Sequence, residues 1–174
     1  KNFLKFNNVK VSLIGHFNYT SGIGEDIRRT YLALKSRGIK VEIIDFGDNI
    51  NKRNIREKSN LNIGYSYNND IEILILCLNP SESFNYLLCK SNSFLEKKYI
   101  IGYTPWEFEN WPKALKDLYK YFDELWISSK FTSRAFKEFK KPIKIMPLCV
   151  DDPDIKMNPL SQKEKSYYRN KYKI

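Results

Sequence analysis

Residues 10–46 read KVSLIGHFNYTSGIGEDIRRTYLALKSRGIKVEIIDF, and this stretch decides the fold. Lys10 to Gly15 is a short apolar run closed by a glycine, which predicts a strand. His16 to Ser21 has no period and predicts a loop. From about Glu25 to Arg37 the pattern turns helical. Ile23, Ile27, Tyr31 and Leu34 recur at helical spacing, and Gly38 stands where a helix stops. Lys40 to Phe46 is apolar again and predicts a second strand. A strand, a helix and a strand in that order form a β-α-β unit, the opening half of a Rossmann-like sheet.

Outward from this unit the alternation continues. Gly47 to Asn69 is polar and rich in Asn, Lys and Arg, and is expected to be an excursion with a short strand near Asn62 to Tyr65. Ile71 to Leu78 (IEILILCL) is the continuous apolar run that a strand buried on both faces requires. Asn79-Pro80-Ser81 breaks it, and Ser81 with Glu82 is expected to cap a helix running to about Phe94. Lys98 to Gly102 is the next strand. Pro112 opens a helix with Leu115, Leu118, Tyr119 and Phe122 on one face. Glu124 to Ser128 is a strand, Ser129 caps a helix from Lys130 to about Phe139, and Ile143 to Met146 closes the series. The expectation is an α/β fold: a Rossmann-like, mostly parallel sheet with helices on both faces over residues 1–150. Residues 151–174 read as a linker followed by a basic helix, Ser161 to Lys173, that lacks an apolar face.

Composition narrows the function. At 174 residues and 42% hydrophobic content, one sizeable core is expected. The formal net charge of +10 admits anionic partners, although a Lys- and Asn-heavy composition explains most of it. His16 is the single histidine and Cys77, Cys89 and Cys149 show no CxxC spacing, so a zinc site is not expected. Nothing suggests a disulfide framework. The longest apolar run is too short to span a bilayer, and the start of the chain has no apolar core of a signal peptide.

Three places invite chemistry. Gly22 and Gly24 precede a helix whose N-terminal amides would suit a phosphate. The dinucleotide fingerprint is not met, because Ile27 stands where the third glycine belongs. Asp45 ends the second strand, where an acid holding a ribose would sit. Arg28 and Arg29 either neutralise a diphosphate or pair with Glu25, and His16 lies at a strand's carboxyl end. The second place is Tyr103-Thr104-Pro105-Trp106-Glu107-Phe108-Glu109-Asn110-Trp111, an aromatic and acidic segment following a strand. Pro105 suits neither ladder nor helix there, so a loop is expected. Trp106 and Trp111 either plug the core or face a ligand. Glu107, between large aromatics, must point to solvent or serve a partner. The third is the basic tail.

Taken together, SLIGHFNYTSGIGEDIRR, IIGYTPWEFENWPKALKDLYKYFDELWISSKFTSRAFKE and IKIMPLCVD resemble the N-terminal domain of bacterial glycosyltransferases of family 4, retaining nucleotide-sugar enzymes of the GT-B fold. The resemblance runs from Val11 to about Asp151. It implies the acceptor-side half of a two-domain enzyme whose second Rossmann-like domain carries most of the nucleotide. It further implies that Gly22, Gly24 and Arg28 approach the donor diphosphate, and that Tyr103, Thr104 and Trp106 shape the acceptor side. Glu107 and His16 are the catalytic candidates; Glu107 stands where some family members place a histidine. Leu148-Cys149 replaces the usual Asn-Gly before Val150-Asp151. No cofactor and no metal are implied; the nucleotide sugar is a substrate.

The function so implied is transfer of a sugar to a glycan, lipid-linked or protein acceptor in surface polysaccharide or glycoconjugate synthesis. The location is cytoplasmic, with peripheral association to an anionic membrane if the basic tail engages one. The alternative is a catalytically inactive module that binds a sugar nucleotide or a partner. An NAD-linked oxidoreductase is disfavoured by the incomplete fingerprint, and nucleic-acid binding by the scattered basic residues.

Overall fold

The computed structural model describes residues 9–46, 72–150 and 161–173. Six strands form one sheet: β1 (Lys10–Gly15), β2 (Lys40–Asp45), β3 (Ile73–Cys77), β4 (Tyr99–Gly102), β5 (Glu124–Ile127) and β6 (Ile143–Ile145). Their spatial order is β2-β1-β3-β4-β5-β6, and every described pairing is parallel. The fold is therefore an α/β, Rossmann-like one, with a sheet that is wholly rather than mostly parallel among the described residues.

Alternation along the central strands creates two cores. Leu74 and Leu76 of β3 point to one face with Ile14, Ile100, Leu125 and Ile127. Ile75 and Cys77 point to the other with Val11, Leu13, Ile43 and Ile101. Successive side chains of a strand leave on opposite faces, so a strand apolar throughout must be covered on both. On the second face α1 (Gly22–Ser36) supplies Ile27 and Tyr31. On the first face α2 (Pro80–Leu88) supplies Tyr86 and Leu87, α3 (Asn92–Leu95) supplies Leu95, and the 3₁₀ helix Lys113–Lys120 supplies Leu118.

Several helix boundaries differ from those expected. α1 begins at Gly22, because Ser21 caps it by accepting from the Gly24 amide; both glycines lie in the helix rather than before it. Gly38 ends that segment with a φ of 75°, a left-handed conformation that costs glycine little. The cap of α2 is Asn79, not Ser81. Asn79 Oδ1 accepts from the Glu82 amide at 2.9 Å while Glu82 Oε2 accepts from the Asn79 amide at 3.3 Å. Pro80 then occupies the first helical turn, where it has no amide to lose. The single helix expected to reach Phe94 is two, because α2 ends at Leu88 and Ser91 caps α3 afresh.

The segment after Pro112 is a 3₁₀ helix rather than an α-helix. It still buries Leu118, with Phe122 just beyond it, and rests Leu115 and Tyr119 against the core. Ser129 caps as expected, through the Thr132 amide at 3.1 Å. The helix it starts, α4 (Lys130–Ser133), gives way to a 3₁₀ turn at Arg134–Phe136. The tail helix α5 (Gln162–Tyr172) forms, and none of its residues is buried. The strand expected near Asn62 to Tyr65 and the linker over 151–160 lie outside the described residues. Among the described residues, no helix is long and apolar enough to cross a membrane.

Candidate functional site

In an open parallel sheet the first places to look are the loops at the carboxyl ends of the strands, where the strand order reverses. Here β1 leads outward to β2 on one side, while β3 starts the run in the other direction. The reversal falls between β1 and β3. Beside it a cavity of about 300 Å³ opens over the carboxyl ends of β3, β4 and β5. It is lined by Gly22, Ile23 and Asp26 from α1, by Cys77 at the end of β3, and by Tyr103 to Glu107 after β4. Ser128 and Leu148 close the far side. The glycine turn and the aromatic loop, far apart in sequence, thus share one crevice.

The two glycines differ in role. A Cβ on Gly24 would press into the carbonyl oxygens of Tyr19 and His16, the latter at 2.8 Å, so this glycine lets the β1–α1 loop fold back onto its helix. Its amide is taken by Ser21 Oγ at 3.1 Å. Gly22 has nothing within 4 Å of where its Cβ would be, is exposed, and lines the crevice. The Gly22 and Ile23 amides belong to the first helical turn and so have no intrahelical acceptor. They are the donors that α1 offers to a ligand.

Arg28 is engaged elsewhere. Its guanidinium donates to the Phe17 and Tyr19 carbonyls at 2.8 and 2.9 Å and pairs with Glu25 at 3.0 Å, which holds the β1–α1 loop closed. Arg29 also pairs with Glu25. These two cations hold the Glu25 carboxyl below its ordinary range. Asp45, the candidate ribose acid, accepts a hydrogen bond from Asn18.

His16 stands off the crevice. Its Nε2 lies 2.9 Å from Glu82 Oε1, and its ring meets Tyr19 and Phe46 edge-on at 5.1 and 5.6 Å. Nδ1 is buried without a partner. The His16–Glu82 pair joins the loop leaving β1 to the first turn of α2, which follows β3, across the reversal point.

In the loop after β4, Tyr103 and Thr104 are buried, Trp106 is half-buried and Glu107 is exposed. The Tyr103 ring meets Trp126 edge-on at 5.9 Å, and burial pushes its phenol well above the usual range. Thr104 Oγ1 is buried with no partner. Trp106 donates from Nε1 to the Asn110 carbonyl at 3.1 Å, and its ring lies 5.0 Å from Trp111. The two tryptophans have separate jobs: Trp111 is buried core, and Trp106 forms the crevice wall.

Among the lining residues not singled out for the site from sequence are Asp26, Cys77 and Ser128. Asp26 had a legible signal, since it lies four residues after Gly22 and so on the same helix face. Burial, with Glu25 beside it, raises the Asp26 carboxyl above its ordinary value. Burial likewise pushes the Cys77 thiol up, which keeps it protonated and unreactive. Ser128 simply ends β5, and only the sheet brings it here.

The crevice chemistry is therefore two carboxylates, several hydroxyl groups, an indole wall and a helix N-terminus. No Lys or Arg is among its described lining residues, and no group of His, Cys, Asp and Glu suited to a metal occurs among the described residues. Comparison of the chain with protein-family models, curated proteins and solved structures finds no match.

Proposed function

We propose that the chain is the acceptor-side domain of a retaining glycosyltransferase that takes a sugar from a nucleotide-sugar donor. The observation that carries this reading is the crevice over β3–β5, with Trp106 as its wall and Asp26, Glu107, Thr104 and Ser128 around it. An aromatic wall packs the apolar face of a pyranose, and carboxylates accept from its hydroxyl groups. The absence of cations from the described lining suits a neutral polyol better than a diphosphate.

In this reading the crevice orients an acceptor hydroxyl, with Glu107 and Asp26 as the carboxylates nearest to it. The exposed Gly22 and Ile23 amides face the donor, where negative charge develops on the leaving nucleoside diphosphate. A second Rossmann-like domain supplies the rest of the donor site. Arg28 acts indirectly, by holding the loop that sets the position of Gly22. His16 does the same through Glu82. The net basic surface and the exposed α5 would place the enzyme at an anionic membrane bearing the acceptor.

Saturation-transfer NMR of the chain against free glycosides, nucleoside diphosphates and NAD tests the reading. Glycoside contacts that vanish in Trp106→Ala are expected. NAD contacts without glycoside contacts would shift the assignment to an oxidoreductase. Sugar-nucleotide binding with no transfer by the longest protein that contains this domain would favour an inactive binding module.

A further inference from the structure

The crevice over β3–β5 carries charge of one sign. Asp26 and Glu107 line it and no Lys or Arg does among the described residues, although the chain has 30 Lys and Arg and a net charge of +10. The local sign is the reverse of the overall one.

Neither carboxylate is committed to the fold. The Asp26 and Glu107 side chains make no hydrogen bond and no ion pair among the described residues. Arg28 and Arg29, the arginines of α1, are both held by Glu25. Asp26 faces the crevice. Its charge acts on the Cys77 thiol and the Tyr103 phenol, which both line the same space, and helps to push both up. Its carboxyl oxygens stay open to solvent, unlike the shielded Oγ1 of Thr104.

A partly buried carboxylate without a cation is costly in its charged form, and burial, with Glu25 beside it, raises this one. An incoming positive charge would relieve that cost. Thr104 lines the crevice too; it is nine-tenths buried and its hydroxyl has no partner, so the lining is short of hydrogen-bonding groups. The wall is the Trp106 indole, the ring whose face attracts a cation most strongly.

The geometry points to a ligand that carries an ammonium group: an amino sugar whose charged nitrogen donates to the Asp26 carboxylate, with Glu107 adding negative charge and the Trp106 ring packing beside it. An ammonium has donors and no acceptor, and an ionised carboxylate accepts only, so the two match without remainder. A neutral hydroxyl donates to the same oxygens more weakly. This inference rests on the acceptor-side reading above and names the class of sugar that the crevice takes.

The test is an NMR titration of the chain with three methyl glycosides, at a pH between the carboxylate and amine ranges. Methyl glucosaminide carries the ammonium, methyl glucoside has a hydroxyl in its place, and methyl N-acetylglucosaminide has a neutral amide there. The glucosaminide should bind about tenfold more tightly than either neutral glycoside, the value of one hydrogen bond between charged groups. The chain's net positive charge opposes this preference, so it cannot arise from bulk attraction.

Asp26→Asn should close the gap between the glucosaminide and the glucoside, and Glu107→Gln should narrow it. Glu96→Gln removes an exposed carboxylate outside the crevice lining and should leave the gap in place. Melting curves of the three variants confirm that each is folded. Equal affinity for the glucosaminide and the glucoside overturns the inference and leaves the acceptor-side reading standing. A gap that survives Asp26→Asn, or that Glu96→Gln closes equally, also overturns it. Binding of none of the three glycosides overturns both.

Discussion

His16 Nε2 and Glu82 Oε1 meet at 2.9 Å and tie the loop leaving β1 to the first turn of α2. The other Glu82 oxygen accepts from the Asn79 amide, so one carboxylate both caps a helix and spans the point where the strand order reverses. Glu82→Ala removes both contacts and should cost about 1–2 kcal/mol. For a chain of this size that lowers the melting temperature by about 2–4 °C per kcal/mol. Glu82→Gln keeps an acceptor for the Asn79 amide and should lose less. Thermal melts of the two variants check this; an unchanged Ala variant would show that the pair contributes nothing.

Gly22 and Gly24 should respond oppositely to a methyl group. At Gly24 the added carbon meets backbone carbonyls that have no rotamer to change, and Gly24→Ala should destabilise by about 1–3 kcal/mol or more. At Gly22 the space is open and φ is not positive, so Gly22→Ala should be neutral or stabilise by about 0.4–1 kcal/mol. Urea unfolding measures both. For function, Gly22→Asp is accordingly the informative variant: it adds an anion at the crevice without disturbing the loop, and should reduce sugar-nucleotide binding in a folded protein.

Adjacent acids on α1 should show pH dependences of opposite sign. Hydrogen bonds from Arg29 and Arg28 lower the Glu25 carboxyl from its ordinary 4.5. That contribution is full above the unfolded value and is lost as pH falls through the folded one. Burial raises the Asp26 carboxyl from its ordinary 3.8, so the native state there holds the proton more tightly. The resulting penalty is absent below the unfolded value and complete once pH exceeds the folded one. Asp26→Asn should therefore raise stability at neutral pH and change little near pH 3. Glu25→Gln should lower stability at neutral pH, with the difference closing in acid. Unfolding curves across the acid range decide both signs.

Glu107 is exposed at the crevice and makes no described contact that the fold needs. Glu107→Gln should leave the melting temperature unchanged and weaken glycoside binding by up to about tenfold, the value of one charge-assisted hydrogen bond. Calorimetric titration with a glycoside identified by NMR checks it. Equal affinity in the two proteins would remove Glu107 from the ligand's reach.

The β-α-β opening was legible because period alone distinguishes it: apolar runs at Lys10–Gly15 and Lys40–Asp45 flank a helical stripe through Ile27 and Tyr31. Helix caps were less so. Ser81 and Asn79 are both good cap residues two positions apart, and only the reciprocal bonds between Asn79 and Glu82 chose between them. The 3₁₀ form of Lys113–Lys120 was equally hidden, since its apolar positions also fit an α-helix and short helices take their geometry from what they pack on.

For the site, the sequence by itself determined the ingredients: a glycine turn at a helix start, and an aromatic, acidic loop held out of regular structure by Pro105. Local chemistry suffices for both, because a proline's missing amide and a cap's side chain act within a few residues. Tertiary structure alone decided which ingredients meet. Parallel pairing in the order β2-β1-β3-β4-β5-β6 brings all carboxyl ends to one edge. It thereby sets Asp26 and Gly22 opposite Trp106 and Glu107, while assigning Arg28 to the loop carbonyls and His16 to Glu82. Those choices depend on strand register and helix packing between residues dozens of positions apart, which no local pattern encodes.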